Sequence, residues 1–533
     1  MLNLYTDTRA LDRSAVSRFG LTEDILMENA ACALENEVVR ACTDRTEGIS
    51  PKCAPVPEYR VLIVAGGGDN GGDGWALARR LNGGTIADLS CSVAVLEVVA
   101  PKSQACMRQA ERARSAGVPV IRNFSRTDFI KSYHVIVDCI FGSGFHGSLS
   151  AQIEKLIAAL NKADCSKIAC DVPSGIDSKG CGTTAFCADI TVCMGALKTA
   201  LFGDFAKNHT GKIITAPLGV SSALFQNGTE PAAFLLEASD MRLPERLLSS
   251  VHKGDFGHAA VYTGEKPGAG IIAACAAFRC GAGLVSLVSP AGQSAPAVKA
   301  GQNALPPYAI PPYLMQSADL PEKTSAVAAG MGFGRNDDWG AAERAAELFA
   351  LLDERRSLPC VLDADLFYCA EIKQLLKARP SGLVLTPHPR EFQSLLSLCG
   401  LANISVEQIV ENRLELVKDF CSTYPGAVLL LKGANMTIGY CPEKDGKKKD
   451  GKTVVYINTF GMPCLAKGGS GDVLAGLVCA FLAQKYEPLD AAIQGSLLLA
   501  ASSRLQKSSY SSTPFTLIQS LEEPEKLKKA LEG

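Results

Sequence analysis

Histidine is scarce: six in 533 residues, none in an H-E-x-x-H or zinc-finger spacing, which removes the usual grounds for a zinc site. Surplus charge is also missing. Lys and Arg number 53 against 55 Asp and Glu, a net charge of −2, so nothing electrostatic calls for a nucleic-acid or membrane partner. No apolar run reaches the ~18 residues of a membrane helix. The opening MLNLYTDTRALDRS has no apolar core of the kind a secretory leader needs. Cysteine is plentiful, at 20, but no two stand in C-x-x-C spacing. Several lie inside apolar runs, such as Cys139 in VIVDCIF and Cys479 in LVCAF. They read as reduced, buried thiols of a cytoplasmic protein and not as a disulfide framework.

What is there suits large globular cores: 47% hydrophobic and 20% charged residues. A chain of this length predicts two to four domains at ~100–200 residues each. Val- and Ile-rich runs recur at 59–65, 91–99, 134–140, 167–170 and 189–194, with helical periodicity between them, as at 75–81 and 102–116. Strands alternating with helices predict a parallel, doubly wound α/β sheet, whose ligands bind outside the carboxyl ends of the strands. The Gly- and Pro-bearing stretch 216–248 breaks that rhythm. It places a domain boundary near residue 228, giving segments 1–228 and 229–533. The pattern then resumes in HAAVYTG, GLVSLV, AVAAGMG, CVLDADL, LVLTPH and AVLLLKG. The tract EKDGKKKDGK (443–452) reads as a solvated hairpin loop.

In the first half, GGGDNGGDG (66–74) follows a strand and opens a helix. Its glycines permit close backbone approach to a ligand and free N–H groups for a phosphate at the helix start. G-x-G-x-x-G alone is a weak signal, and the Lys-Ser/Thr ending of a P-loop is missing. DCIFGSGFHG (138–147) and ACDVPSGID (169–177) put Asp138 and Asp171 at neighbouring strand ends, with Ser174 close behind. Asn70, Asp138 and Ser174 together offer one carboxylate and neutral oxygens, a set that suits a monovalent cation better than a divalent one. For each acid alone, a helix cap or loop bridge is the competing explanation.

In the second half, GGSGD (468–472) stands before Val473, Leu474, Leu477, Val478, Phe481 and Leu482, read as one face of an amphipathic helix. Amides of Gly469, Ser470 and Gly471 at a helix N-terminus would stabilise a phosphoryl group in transfer, with Asp472 beside them as base or proton relay. VLLLKGAN (428–435) offers Lys432 at a nucleotide edge. AAGMGFG (328–334) offers a glycine-rich strand end, and LTPHPREF (385–392) holds His388 between two prolines. DAD (363–365) also ends a strand, and structural and functional readings stand level there.

LMENAACALE (26–35), the glycine run, VIVDCIFGSGFHG, DVPSGID and ADITVCMGALKTALF (188–202) occur in the order seen in NAD(P)H-hydrate epimerases, and the first ~220 residues resemble that family. The family's usual G-N-N-G-G-D-G has Asp69 in place of its first Asn. The resemblance implies a Rossmann-like three-layer domain in which Asn70, Asp138 and Ser174 hold potassium. Asn70, Gly71, Gly72 and Asp73, with Gly142, Ser143, Gly144, Phe145, His146, Gly147 and Ser148, would line the hydrated dinucleotide. Asp171 would be the catalytic acid–base group at the ring, with Lys198 nearby. VHKGDFGHAAVYTG, AAFRCGAGLVSLV and the GGSGD region resemble the ADP- or ATP-dependent NAD(P)H-hydrate dehydratases, over roughly 235–510. That implies a ribokinase-like α/β domain. Ala269, Gly332, His388 and the catalytic Asp472 would contact the S-form hydrate. Lys432, Gly433, Ala434, Asn435 and Gly471 would contact ADP or ATP brought with magnesium. It also implies a homo-oligomer, since kinase-like halves of this family often form tetramers. The Pro- and Ala-rich segment 291–322 lacks the Pro-Glu element expected there.

Three other readings stand beside this one: a ribokinase-type small-molecule kinase, a first half that only binds or scaffolds, and a first half that is an NAD-dependent dehydrogenase. The last would need a catalytic His or Tyr-Lys arrangement, and none is visible.

Overall fold

In the computed structural model, residues 1–44, 58–86, 89–125, 127–289, 310–335, 341–443 and 451–532 are described. Residues 444–450 of the tract read as a solvated loop, and 291–309 of the Pro- and Ala-rich segment, lie outside them. The chain forms two compact units, Asn3–Ala233 and Phe234–Gly533 with Met1–Leu2.

In the first unit the strands are β1 (Tyr59–Ala65), β2 (Leu89–Glu97), β3 (Val135–Cys139), β4 (Ser166–Cys170), β5 (Ile190–Met194) and β6 (Lys212–Ala216). They run parallel in the order β2-β1-β3-β4-β5-β6. Successive residues of β1 and β3 feed opposite cores, as a two-residue side-chain period requires. Val61, Ile63, Val135 and Val137 pack on one face, and Leu62, Val64 and Ile136 on the other. Helices α1 (Glu23–Asp44) and α2 (Asp69–Leu81) cover the first face, with α3 (Gln104–Ser115), while α4 (Ala151–Asn161) covers the second. The sheet is thus the buried middle of three layers.

The glycine run opens a helix as its sequence predicts, with α2 starting inside it at Asp69. A Cβ on Gly71 would come within 2.0 Å of the Gly66 carbonyl oxygen, and one on Gly74 within 2.9 Å of Cys139 Cβ. These glycines let the helix lie tight on the strand ends, so much of the run serves packing.

In the second unit, β7 (His258–Tyr262), β8 (Leu284–Val288), β9 (Met315–Ser317), β10 (Ala326–Ala329), β11 (Cys360–Leu362), β12 (Leu383–Leu385) and β13 (Val428–Leu431) are parallel to one another. Strands β14 (Met436–Tyr440) and β15 (Val454–Asn458) follow as an antiparallel pair. The order is β15-β14-β13-β12-β11-β10-β7-β8-β9. Helices α5 (Pro267–Arg279), α6 (Ala341–Glu354), α7 (Pro389–Cys399), α8 (Ser470–Ala483) and α9 (Pro488–Arg504) belong to this unit. Helix α8 is not amphipathic as read. Every residue from Val473 to Ala483 is buried, because α5, α9 and the sheet surround it. A Cβ on Gly476 would meet the Ala273 carbonyl oxygen at 2.1 Å, so α8 and α5 cross almost backbone to backbone.

Candidate active sites

The first site lies at the carboxyl ends of β1, β3, β4 and β5. Asp171, one residue past β4, adopts φ 67°, a left-handed conformation uncommon outside glycine. This turns its carboxylate back across the strand ends. Oδ1 pairs with Lys198 Nζ at 2.6 Å and accepts the Met194 amide at 3.2 Å, while Oδ2 accepts the Ser143 amide at 3.1 Å. Lys198 is 1% exposed and also donates to the Met194 and Ala196 carbonyls. Burial pushes the Asp171 carboxyl up, but Lys198 and the two amides outweigh it and hold it below its usual value. For Lys198, burial pulls down and Asp171 pushes up, with the net shift upward. Asp171 therefore stands as a carboxylate bonded to a permanent ammonium.

Two other acids behave differently. Burial and the Asp171 charge drive Asp73 well above its usual value, and Cys170 Sγ lies 3.7 Å from its Oδ2. Asp12, on the helix Arg9–Phe19, is pushed up to about 6, first by burial; Lys198 pulls it down and Asp171 pushes it up. Sequence reasoning missed Asp12, because nothing near it in the chain marks it.

Asp138 is fully buried at the end of β3. It accepts the Ser174 amide at 2.8 Å, the Ser174 hydroxyl at 2.7 Å and the Ile140 amide at 3.1 Å. Burial pushes it up to about 6 against those bonds. Its partners are all neutral. Ser174 Oγ also meets the amide and carbonyl of Phe141. A Cβ on the next residue, Gly142, would lie 3.1 Å from Asn70 Oδ1 and 3.2 Å from Asp171 Oδ2. Asn70, Asp138 and Ser174 thus gather around the 138–142 turn, and Asn70 Nδ2 is buried without a partner. An uncompensated buried carboxylate among hydroxyl, amide and carbonyl oxygens fits a monovalent cation. Phe145 packs on Phe141 with ring centroids 4.9 Å apart. Gly144, His146, Gly147 and Ser148 are exposed on the outgoing loop, whereas Gly71 and Gly72 are buried.

The second site gathers the ends of β10 to β13 at the start of α8. Gly469, with φ 95°, caps α8. Not all three expected amides point outward, because Ser470 donates its own to the Lys467 carbonyl at 3.4 Å. The turn that starts the helix uses it. Lys432 Nζ donates to Asp363 Oδ1 at 2.8 Å and lies 3.7 Å from Glu391 Oε2. A Cβ on Gly471 would sit 3.4 Å from that Nζ. For Lys432, burial pulls down, but Asp363 and Glu391 prevail and the net shift is upward. Asp472 is half-buried and pushed up to about 6, by burial first and then by the Asp363 charge, with Lys432 pulling the other way.

His388 caps α7. Its Nδ1 accepts the Glu391 amide at 3.2 Å and its Nε2 lies 3.0 Å from Glu391 Oε1, so Glu391 meets both ring nitrogens. Gly332, with φ 64°, brings its main chain against the start of α5: a Cβ there would lie 3.2 Å from Ala269 Cβ. Gly433 and Ala434 are exposed beyond Lys432, and Asn435 is buried with its carbonyl held by Arg413 Nη1 at 2.5 Å. Asp363, Glu391 and Arg413 were absent from the sequence-derived set. Only the DAD motif gave any signal, and it was left undecided.

Residues 260–523 match the family described as NAD(P)H-hydrate dehydratase, and 23–200 match the YjeF-related protein N-terminus. A bifunctional NAD(P)H-hydrate repair enzyme of Helicobacter pylori is 40% identical over 98% of this chain and 100% of its own length. The chain belongs to the bifunctional NAD(P)H-hydrate repair enzyme family. A relative with the same description from Pyrobaculum aerophilum is 31% identical over 90% of this chain and 89% of its own. A solved Bacillus subtilis ADP/ATP-dependent NAD(P)H-hydrate dehydratase, co-crystallised with ATP and magnesium, is 23% identical over 54% of this chain and 94% of that one, with a TM-score of 0.40. Among the described residues no helix is long and apolar enough to cross a membrane, and no cysteine is paired in a disulfide.

Proposed function

We propose that this enzyme repairs hydrated NADH and NADPH, with residues 1–228 interconverting the R and S hydrates and 229–533 dehydrating the S form at the expense of ADP or ATP. The observation that carries the reading is the pair of contrasting acids at two separate strand-end sites. Asp171 is held ionised by Lys198, and Asp472 is held near neutrality beside a glycine-rich helix start. A base that stays ionised and one poised near working pH suit two different proton transfers.

In the first half Asp171 takes and returns the hydroxyl proton as the bond from the hydroxyl-bearing ring carbon to the ring nitrogen breaks and re-forms on the opposite face. Asn70, Asp138 and Ser174 would hold potassium, which supplies the positive charge the buried Asp138 lacks and would help bind substrate phosphate. Asn70 and Asp73, with Gly142, Ser143 and Phe145, border the space beside Asp171. In the second half Asp472 takes the proton of the ring hydroxyl as its oxygen bonds to the terminal phosphorus of the nucleotide. The C–O bond then breaks, phosphate leaves, and loss of a proton from the adjacent ring carbon restores the dihydronicotinamide. Gly471 and Lys432 face the phosphates, magnesium would enter with the nucleotide, and Ala269, Gly332 and His388 flank the hydrate.

The test is to give the enzyme a mixture of R and S NADH hydrate with potassium, magnesium and either ADP or ATP, and to follow dihydronicotinamide absorbance. Full recovery supports two active halves and names the nucleotide. Recovery that stops at the S fraction leaves the first half a binding module. No recovery with either nucleotide moves the chain to the small-molecule kinases.

A further inference from the structure

Four elements send polar side chains to one point in the second unit. Asp363 follows β11, Thr386 follows β12, Glu391 stands in the first turn of α7, and Lys432 follows β13. Asp363 Oδ1 accepts both Lys432 Nζ, at 2.8 Å, and Thr386 Oγ1, at 2.9 Å. The Asp363 side chain is 2% exposed and that of Lys432 18%. The backbone of Asp363 is pinned as well. Its amide donates to the Ala329 carbonyl at 2.9 Å, and a Cβ on Gly330 would lie 1.8 Å from its carbonyl oxygen. The same Nζ looks at α8: a Cβ on Gly471 would be 3.4 Å from it and 3.8 Å from Asp363 Oδ2.

A buried ion pair adds little net stability compared with apolar residues of the same volume. A fixed ammonium beside a helix start, however, completes a site for developing phosphoryl charge. We infer that Asp363 is a positioning residue for phosphoryl transfer, holding the Lys432 ammonium over the Gly471 main chain where the transferring phosphoryl group docks. The inference rests on the dehydratase reading above. In the step it serves, the bond from the bridging oxygen to the terminal phosphorus breaks, leaving that oxygen on the departing nucleotide. A bond from the ring hydroxyl oxygen to the phosphorus forms, and the hydroxyl proton passes to Asp472. Lys432 forms and breaks no covalent bond; it balances charge on the phosphoryl oxygens. Asp363 acts on the phosphoryl group through Lys432, and its charge also bears on the neighbouring Asp472.

The full chain is assayed for S-hydrate dehydration as wild type, Asp363→Asn, Lys432→Ala and the double variant, with kcat and both KM values read separately. Asp363→Asn should lose at least ~10-fold in kcat. Its KM for the S hydrate should stay within ~3-fold, because the lost interaction is made in the transition state. The double variant should be no slower than Lys432→Ala alone. Thr386→Val, which removes a neutral hydrogen bond to the same oxygen, should show a milder loss with the same pattern, and it carries the decision if Asp363→Asn does not fold. Losses that multiply in the double variant, or wild-type kcat in Asp363→Asn, would overturn the role. A wild-type chain inactive with both nucleotides would sink the dehydratase reading itself, a separate failure.

Discussion

Replacing Lys198 by Met keeps volume and removes one charge from the most enclosed ion pair of the first unit. The lost contacts are the 2.6 Å pair with Asp171 and the bonds to the Met194 and Ala196 carbonyls. Asp171 keeps only the Ser143 and Met194 amides. Stranding one partner of a buried pair costs about 3–5 kcal/mol. Spread over the Asp171 titration, that equals about 2–4 pH units of upward shift. The sign follows from linkage. In the wild type the folded value lies below the unfolded one, so the Asp171 contribution is present above the unfolded value and lost only as pH falls through the folded value. In Lys198→Met the folded value lies above the unfolded one, so stability instead falls as pH rises through that window. Urea melts at pH 5 and pH 8 should show a narrow gap between the proteins at pH 5 and a wide one at pH 8. The acidic limb of the epimerase rate should move toward neutrality. An equal gap at both pH values with an unmoved limb would refute the reasoning and leave Lys198 a packing residue.

Dehydratase kcat should rise with pH through about 6, where Asp472 ionises, and then level off; Asp472→Asn should flatten that rise and abolish most of the rate. Asp138→Ala should remove the potassium response of epimerisation, seen by comparing potassium with tetramethylammonium buffers, while S-hydrate dehydration continues unchanged. Gly476→Val should destabilise the second unit by about 1–3 kcal/mol or more in urea melts, since even its Cβ would meet the Ala273 carbonyl at 2.1 Å.

The parallel strands were legible because each is a short apolar run buried on both faces, as in β1 and β13. The antiparallel pair β14 and β15 was signalled only by the charged tract read as a hairpin loop between them, since Met436–Tyr440 carries Thr437 and Gly439 and is no plain apolar run. The glycine run was legible as a strand-to-helix turn, but not its division of labour, since which glycine meets a carbonyl depends on how α2 docks on β3. Asp171 and Lys198 stand 27 positions apart and meet only because β4 and β5 are neighbours. Asp12 reaches the same space from a helix near the start of the chain, with no local motif. Nothing in the sequence marks Glu391, which in α7 is a first-turn acid as well as the clamp on His388.

The left-handed backbone of Asp171 also bears on how this protein can drift. A non-glycine residue held at φ 67° carries a standing cost of about 1–3 kcal/mol, kept only while its carboxylate is wanted. Glycine there would relieve the backbone cost but strand the buried Lys198 ammonium, a loss of about 3–5 kcal/mol that outweighs it. A lineage that lost the first activity would therefore not shed Asp171 alone. The two positions should drift as a pair, with Lys198 changing before the aspartate or together with it.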